Sequence, residues 1–161
     1  MRDAKRKIFV TSPLLPDIKD VFLEIEEIFN SKQLTNIGKK HKALEEKLKN
    51  ELKVKNLSLF NNGTTALITA IKALNLPVDS EIVTTSFTFA ATPHSIVWSG
   101  LKPIFCDIEP ETMTLDPNKI EELITPNTSA ILGVHVYGFP CKVHEIQKIA
   151  DKYNLKNLRK N

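Results

Sequence analysis

Apolar residues follow two rhythms along the chain, and the change falls near residue 55. Before it, Val21, Phe22, Ile25, Ile28 and Phe29 recur on one face at helical spacing, and Leu44, Leu48 and Leu52 stand four apart. This predicts one amphipathic helix from about Asp17 to Ser31 and a second over roughly 39–52. Ahead of them Thr11-Ser12-Pro13-Leu14-Leu15-Pro16 reads as extended, because two prolines fix φ and restrict their predecessors. Leu34 to Gly38 reads as the loop between the helices.

Past residue 55 short apolar runs alternate with helical patterns. Leu57–Phe60, Glu81–Thr85, Pro103–Cys106 and Ala130–Val136 read as strands, and Ala66–Leu74, Ala91–Gly100, Pro117–Ile124 and Val143–Tyr153 as helices. Asp116 is placed to cap the third of these helices, with Pro117 at its first position. Strands alternating with helices argue for an α/β fold, a mostly parallel sheet covered on both faces. The organisation is a helical arm over 1–55 followed by an α/β domain over 56–161. After Tyr153 the rhythm calls for one more buried strand. Asn157-Leu158-Arg159-Lys160-Asn161 is too polar for that, so the chain looks truncated and its sheet is expected to carry an open edge.

Composition narrows the class. The 161 residues are 42% apolar and 25% charged, a globular balance, and no apolar run approaches a membrane span. The first residues lack the apolar stretch of a secretory signal. The net charge of +3 resolves into +3 over residues 1–7, +4 over 152–161 and −4 between them. Basicity confined to two short ends does not make a nucleic-acid-binding face. Two cysteines, Cys106 and Cys141, are too few for a disulfide scaffold, so reduced thiols in a cytoplasmic protein are expected. His135, Cys141 and His144 are spaced H-x5-C-x2-H, which fits no zinc pattern, so no metal site is expected.

Chemistry concentrates at the ends of the predicted strands. Gly63 permits close backbone approach, Thr64 and Thr65 supply hydroxyls, and the helix that follows presents unpaired N–H groups and a positive dipole end. Those features suit a phosphate, and equally an ordinary turn with a threonine cap. The Gly-Lys-Ser/Thr of a Walker loop and the glycines of a dinucleotide fingerprint are both missing. Thr84 to Thr92 lies at the carboxyl end of a strand, where open α/β sheets bind ligands. Phe87 and Phe89 there are either core residues or, for one of them, a platform for a flat ligand. His135, just past another strand, reads as a core histidine sooner than a ligand contact. Asp107 and Glu109, in a Pro-bounded polar loop, read as solvated sooner than as an acid–base pair.

Taken together these segments resemble one family. The blocks TSPLLP, LTNIG, SLFNNGTTAL, TTSFTFAAT, HSIVWSGLKPIF, CDIEPETMTLDPNKIEELITPNTSAIL, HVYGFPC and IQKIADKYNLK match, in order and spacing, the DegT/StrS sugar aminotransferases. The resemblance covers about residues 8–156. It implies the large domain of the aspartate-aminotransferase fold (fold type I), here incomplete, with pyridoxal 5'-phosphate as cofactor. It implies that Gly63, Thr64 and Thr65 hold the cofactor phosphate and that Phe89 stacks on the pyridine ring. It also implies a homodimer with nucleotide-sugar and glutamate as substrates, while the charge distribution and the lack of a long apolar run lead us to expect no nucleic-acid or membrane partner. The nearest likeness is to members that make dTDP-4-amino-4,6-dideoxyglucose from the 4-keto sugar, feeding surface polysaccharides such as the O-antigen.

The departures matter as much. In the family an aspartate that pairs with the pyridine nitrogen, and then a Schiff-base lysine, follow the stretch matched here. Lys156 and Lys160 are expected to lie before and at the start of the strand that would carry the aspartate, so neither stands in for the catalytic lysine. No residue of this chain is therefore assigned a catalytic role, and the polypeptide alone is expected to lack transaminase activity. A non-catalytic module pairing with a full-length relative is the alternative. A dehydratase with histidine in place of the lysine also stays open.

Overall fold

The computed structural model describes residues 12–160, so the basic cluster at 1–7, Thr11 and Asn161 lie outside it. The chain divides into two compact units, the first ending at Ser58 and the second beginning at Leu59.

The first unit holds helices α1 (Ile18–Ser31) and α2 (Lys39–Leu52), at the predicted places. Asp17 caps α1, its carboxylate accepting from the Lys19 N–H at 2.8 Å. Glu27 pairs with both Lys39 and Lys40, and Glu24 with Lys40, which ties the start of α2 to α1. Neither helix buries a single residue. The apolar faces read from the sequence exist, but Phe22 and Phe29 remain 64% and 66% exposed.

The second unit runs α3 (Gly63–Ala73), β1 (Glu81–Thr85), α4 (Ala91–Trp98), β2 (Lys102–Cys106), two 3-10 turns (Pro117–Lys119 and Glu121–Leu123), β3 (Thr128–Val134), a 3-10 turn (Val136–Gly138), α5 (Val143–Lys152) and β4 (Lys156–Lys160). The four strands form a sheet in the order β2-β1-β3-β4, parallel throughout. Strand periodicity sorts the core into two layers. Ile82, Ala130 and Leu132 meet Leu67 and Ile71 of α3 and Ile96 of α4 on one face. Val83 and Ile131 meet Ile146, Ile149 and Ala150 of α5, with Leu115 and Ile120, on the other. Gly133 has a packing reason: a Cβ there would meet Cys141 Sγ at 2.9 Å.

Four expectations are corrected. Leu57–Phe60 forms no strand, since no described strand lies beside it to complete a ladder. The helix expected from Ala66 begins at Gly63, because Asn62 rather than a threonine caps it. Pro117–Ile124 is two 3-10 turns, not an α-helix. Pro117 and Ile120 are buried and Leu123 half-buried, a spacing of three that points one face of a 3-10 turn inward. The polar tail after Tyr153 does pair: Ala130 to Val134 of β3 align with Lys156 to Lys160, so both lysines sit inside β4. An edge strand needs one ladder partner and tolerates charged side chains, which is why so polar a segment is accepted there.

Candidate functional site

Parallel order fixes where a ligand can enter. From β1 the chain crosses to β2 on one side, and its next strand, β3, lies on the other side of β1. The order therefore reverses between β1 and β3, and in open α/β sheets the crevice at the carboxyl ends of such strands takes the ligand. The loops leaving those two strands enclose a groove of about 470 Å³ there, lined by Ser86–Phe89, Val134–Tyr137 and Lys160.

The entrance to α3 opens at the same edge. At the helix's far end the Lys72 ammonium donates to the Ser99 carbonyl at 2.9 Å, just ahead of the start of β2. That end is therefore at the amino edge of the sheet. An eleven-residue helix and a five-residue strand each span about 16 Å, so the helix start reaches the carboxyl edge. Asn62 Oδ1 accepts from the Thr65 N–H at 2.8 Å and from the Thr65 hydroxyl at 3.1 Å. The N–H groups of Gly63 and Thr64 have no acceptor among the described residues. Apart from its chain neighbours and the backbone of its own helix, nothing lies within 4 Å of where a Gly63 Cβ would stand. The entrance is thus open, polar and at the positive end of the helix dipole. Gly63, Thr64 and Thr65 share this edge with the groove but are not among the residues that line it.

Neither Phe87 nor Phe89 is a core residue. Both residues line the groove, Phe89 being 74% exposed. Phe87 meets Tyr137 edge-on at 6.5 Å, while no described aromatic ring covers Phe89. His135 also lines the groove, half-buried, and its Nδ1 accepts the Cys141 N–H at 3.0 Å. Lys160, at the end of β4, is half-buried in the wall, and burial holds its ammonium pKa below the ordinary lysine value. Sequence reasoning weighed Lys160 only as a stand-in for the catalytic lysine and gave Tyr137, within the segment after His135, no role of its own. The available signal was the strand period, which puts Lys160 on the same face as Leu158, the face carrying α3 and α4.

The other candidates lie apart. Asp107 is exposed and pairs with Lys119 at 2.9 Å. Glu109 is buried rather than solvated, held by Lys142 at 2.6 Å and the Thr112 hydroxyl at 3.1 Å. That bond clasps the loop after β2 to the start of α5, and neither carboxylate reaches the groove. Burial pushes the Cys106 thiol up to about 11 and raises Cys141 as well, so both sulfurs are packing groups. The first unit has a separate hollow of about 440 Å³ between its helices, lined by the α1–α2 loop. Apart from the ion-paired Glu27, Lys39 and Lys40, its titratable lining is His41 alone.

The model of the DegT/DnrJ/EryC1/StrS aminotransferase family matches residues 17–159. The chain belongs to that family. It is 52% identical over 151 residues to the dTDP-4-amino-4,6-dideoxy-D-glucose transaminase of Escherichia coli, covering 94% of this chain and 40% of that enzyme. Among solved structures it resembles the aminotransferase PseC of Helicobacter pylori, with a TM-score of 0.87 at 32% identity, over 97% of this chain and 42% of that one. It also resembles NtdA of Bacillus subtilis with bound cofactor PMP, with a TM-score of 0.85 at 32% identity, over 98% of this chain and 38% of that one. The chain thus spans about two fifths of the length of these relatives. Among the described residues of this family member, no helix is long and apolar enough to cross a membrane.

Proposed function

We propose that this chain forms the amino-terminal, cofactor-binding portion of a pyridoxal-phosphate-dependent nucleotide-sugar aminotransferase. The reaction is transfer of an amino group from glutamate to a dTDP-4-keto-6-deoxysugar, for surface polysaccharide and O-antigen synthesis in the cytoplasm. One observation carries the reading. The groove between the β1 and β3 loops and the unpaired amides of α3 share the carboxyl edge of a parallel sheet, in a chain half identical to a sugar transaminase.

The residues present suit the cofactor. The Gly63 and Thr64 amides and the Thr64 hydroxyl bind its phosphate, an anion at a helix start. Thr65 secures the Asn62 cap and so holds the turn in shape. Phe89 offers an uncovered ring face to the pyridine. When bound, the cofactor supplies an electron sink for the carbon that loses its amino group.

Among the described residues, no carboxylate lines the groove to hold a proton on the ring nitrogen. The family's aspartate and lysine come, by resemblance, after the matched stretch. The polypeptide by itself therefore binds cofactor without turning over glutamate. The exposed apolar faces of α1 and α2 support pairing with a second subunit. They equally favour a second reading, a non-catalytic module that pairs with a full-length relative.

Cofactor titration tests the reading. Pyridoxal phosphate is expected to bind at least tenfold more tightly than pyridoxal, and Thr64→Val to lose about tenfold, the weight of a charge-assisted hydrogen bond. Equal affinity for the two vitamers, or indifference to Thr64→Val, overturns the assignment. Glutamate turnover together with a borohydride-reducible bond to one specific lysine overturns the claim of inactivity.

A further inference from the structure

Among the polar residues of the groove, His135 stands out because main-chain hydrogen bonds fix both its backbone and its ring. The groove's apolar lining is Phe87, Phe89, Val134, Val136 and Tyr137, and its polar lining is Ser86, Thr88, His135 and Lys160. The Thr88 hydroxyl is occupied by Thr92 at 2.8 Å. His135 is clamped on both sides by main chain. Its own N–H donates to the Lys160 carbonyl at 2.7 Å, which joins it to β4. Its ring accepts at Nδ1 from the Cys141 N–H at 3.0 Å. That second bond depends on a tight return of the chain, made by the 3-10 turn at Val136–Gly138 with Tyr137 at φ +50°. It depends also on buried Cys141, whose sulfur lies 2.9 Å from where a Gly133 Cβ would be.

The chemistry of that bond decides the tautomer. A backbone N–H only donates, so Nδ1 keeps its lone pair, and a neutral imidazole then carries its proton on Nε2. The two ring nitrogens face apart, so Nε2 lies on the side of the ring away from the Cys141 amide, and His135 is one of the groove's lining residues. From this geometry we infer that His135 is a binding residue of the groove. Its Nε2–H is a preset donor to an oxygen acceptor on a flat ring ligand seated against Phe89. A carbonyl, phenolate or carboxylate oxygen meets the requirement. The inference rests on the proposed reading of the groove as the cofactor end of the sheet, and adds a polar contact to it.

Long-range proton–nitrogen NMR on the full chain reads the tautomer directly at about pH 8, where an ordinary imidazole is neutral. His135 is expected to be protonated at Nε2, and protonation at Nδ1 overturns the inference. Titration with pyridoxamine phosphate, which has the ring oxygen and the phosphate but no reactive aldehyde, tests the contact. It is expected to shift the Nε2 proton of His135. His135→Asn keeps an acceptor near the Nδ1 position and loses the far donor, so affinity falls about tenfold, the weight of one hydrogen bond. His135→Gln puts an amide N–H near the Nε2 position and restores most of that loss. Equal losses in the two variants mean that the ring only props the loop, and overturn the inference while leaving the cofactor reading intact. No binding of pyridoxamine phosphate by the unmodified chain, with the Nε2 tautomer in place, overturns the cofactor reading and the contact with it.

Discussion

Single side chains in the α/β unit are set by close packing, and Gly133 is the sharpest case. It stands in β3 with Cys141 Sγ 2.9 Å from where a Cβ would be and Leu158 carbonyl oxygen at 3.9 Å. Adding a methyl group forces the sulfur away, and with it the amide that holds His135. Gly133→Ala is expected to destabilise the chain by about 1–3 kcal/mol, the usual cost of overpacking, read as a lower urea midpoint. Adding Cys141→Ala to that variant removes the colliding atom and recovers part of the loss. A double variant no more stable than Gly133→Ala alone shows that the sulfur is not the obstacle. In the sequence Gly133 was one residue of an apolar run and Cys141 a failed metal ligand. Nothing local says that the two meet, because the contact is made by a strand and a loop that fold back on each other.

At the scale of elements, legibility followed how much of an element's cause is local. α1 and α2 were readable because apolar spacing and the Asp17 cap lie within the segment itself. β1 was readable because it is a buried run flanked by turns, and its bounds agree with the expected ones. Leu57–Phe60 and Lys156–Lys160 were misread in opposite directions, because strand formation is decided by the neighbour: the first has no described ladder partner, and the second has β3. The α1–α2 connection yields a pH prediction. Hydrogen bonds from Lys39 and Lys40 to Glu27, and then their positive charges, bring its pKa from 4.5 down to about 2. A depressed folded-state pKa stabilises the form above the unfolded value. The ion-pair contribution to the helical hairpin is therefore complete above about pH 4.5 and lost as pH falls toward about 2. Carbon-detected NMR titration of the Glu27 carboxyl, followed alongside helicity, checks this. High salt weakens the effect because the pair is solvent-accessible. A Glu27 carboxyl titrating at its ordinary value removes the contact from the account.

Over the whole molecule burial is uneven, and stability follows it. β1 and β3 are paired on both sides, and Ile82, Val83, Ala130, Ile131 and Leu132 are fully enclosed. β2 and β4 are edge strands, with Phe105 half out in solvent and β4 carrying three basic side chains. α1 and α2 bury nothing. The sequence disclosed the amphipathic faces of those helices but not their cover, since periodicity says which side of a helix wants burial and nothing about what supplies it. Local opening is easiest where few apolar contacts hold the backbone, so amide exchange should fall into three tiers. Amides of Ile82–Thr84 and Ala130–Leu132 are expected to exchange slowest, those of β2 and β4 faster, and those of α1 and α2 fastest. Each tenfold in protection corresponds to about 1.4 kcal/mol of opening free energy, so the tiers can be compared on one energy scale. Repeating the exchange across a range of protein concentrations separates two causes of any helix protection. Protection of α1 and α2 that grows with concentration assigns their cover to a second copy of the chain. Protection matching the central strands at every dilution would mean that the helices share the cooperative core after all, and would break the link drawn here between exposure and opening.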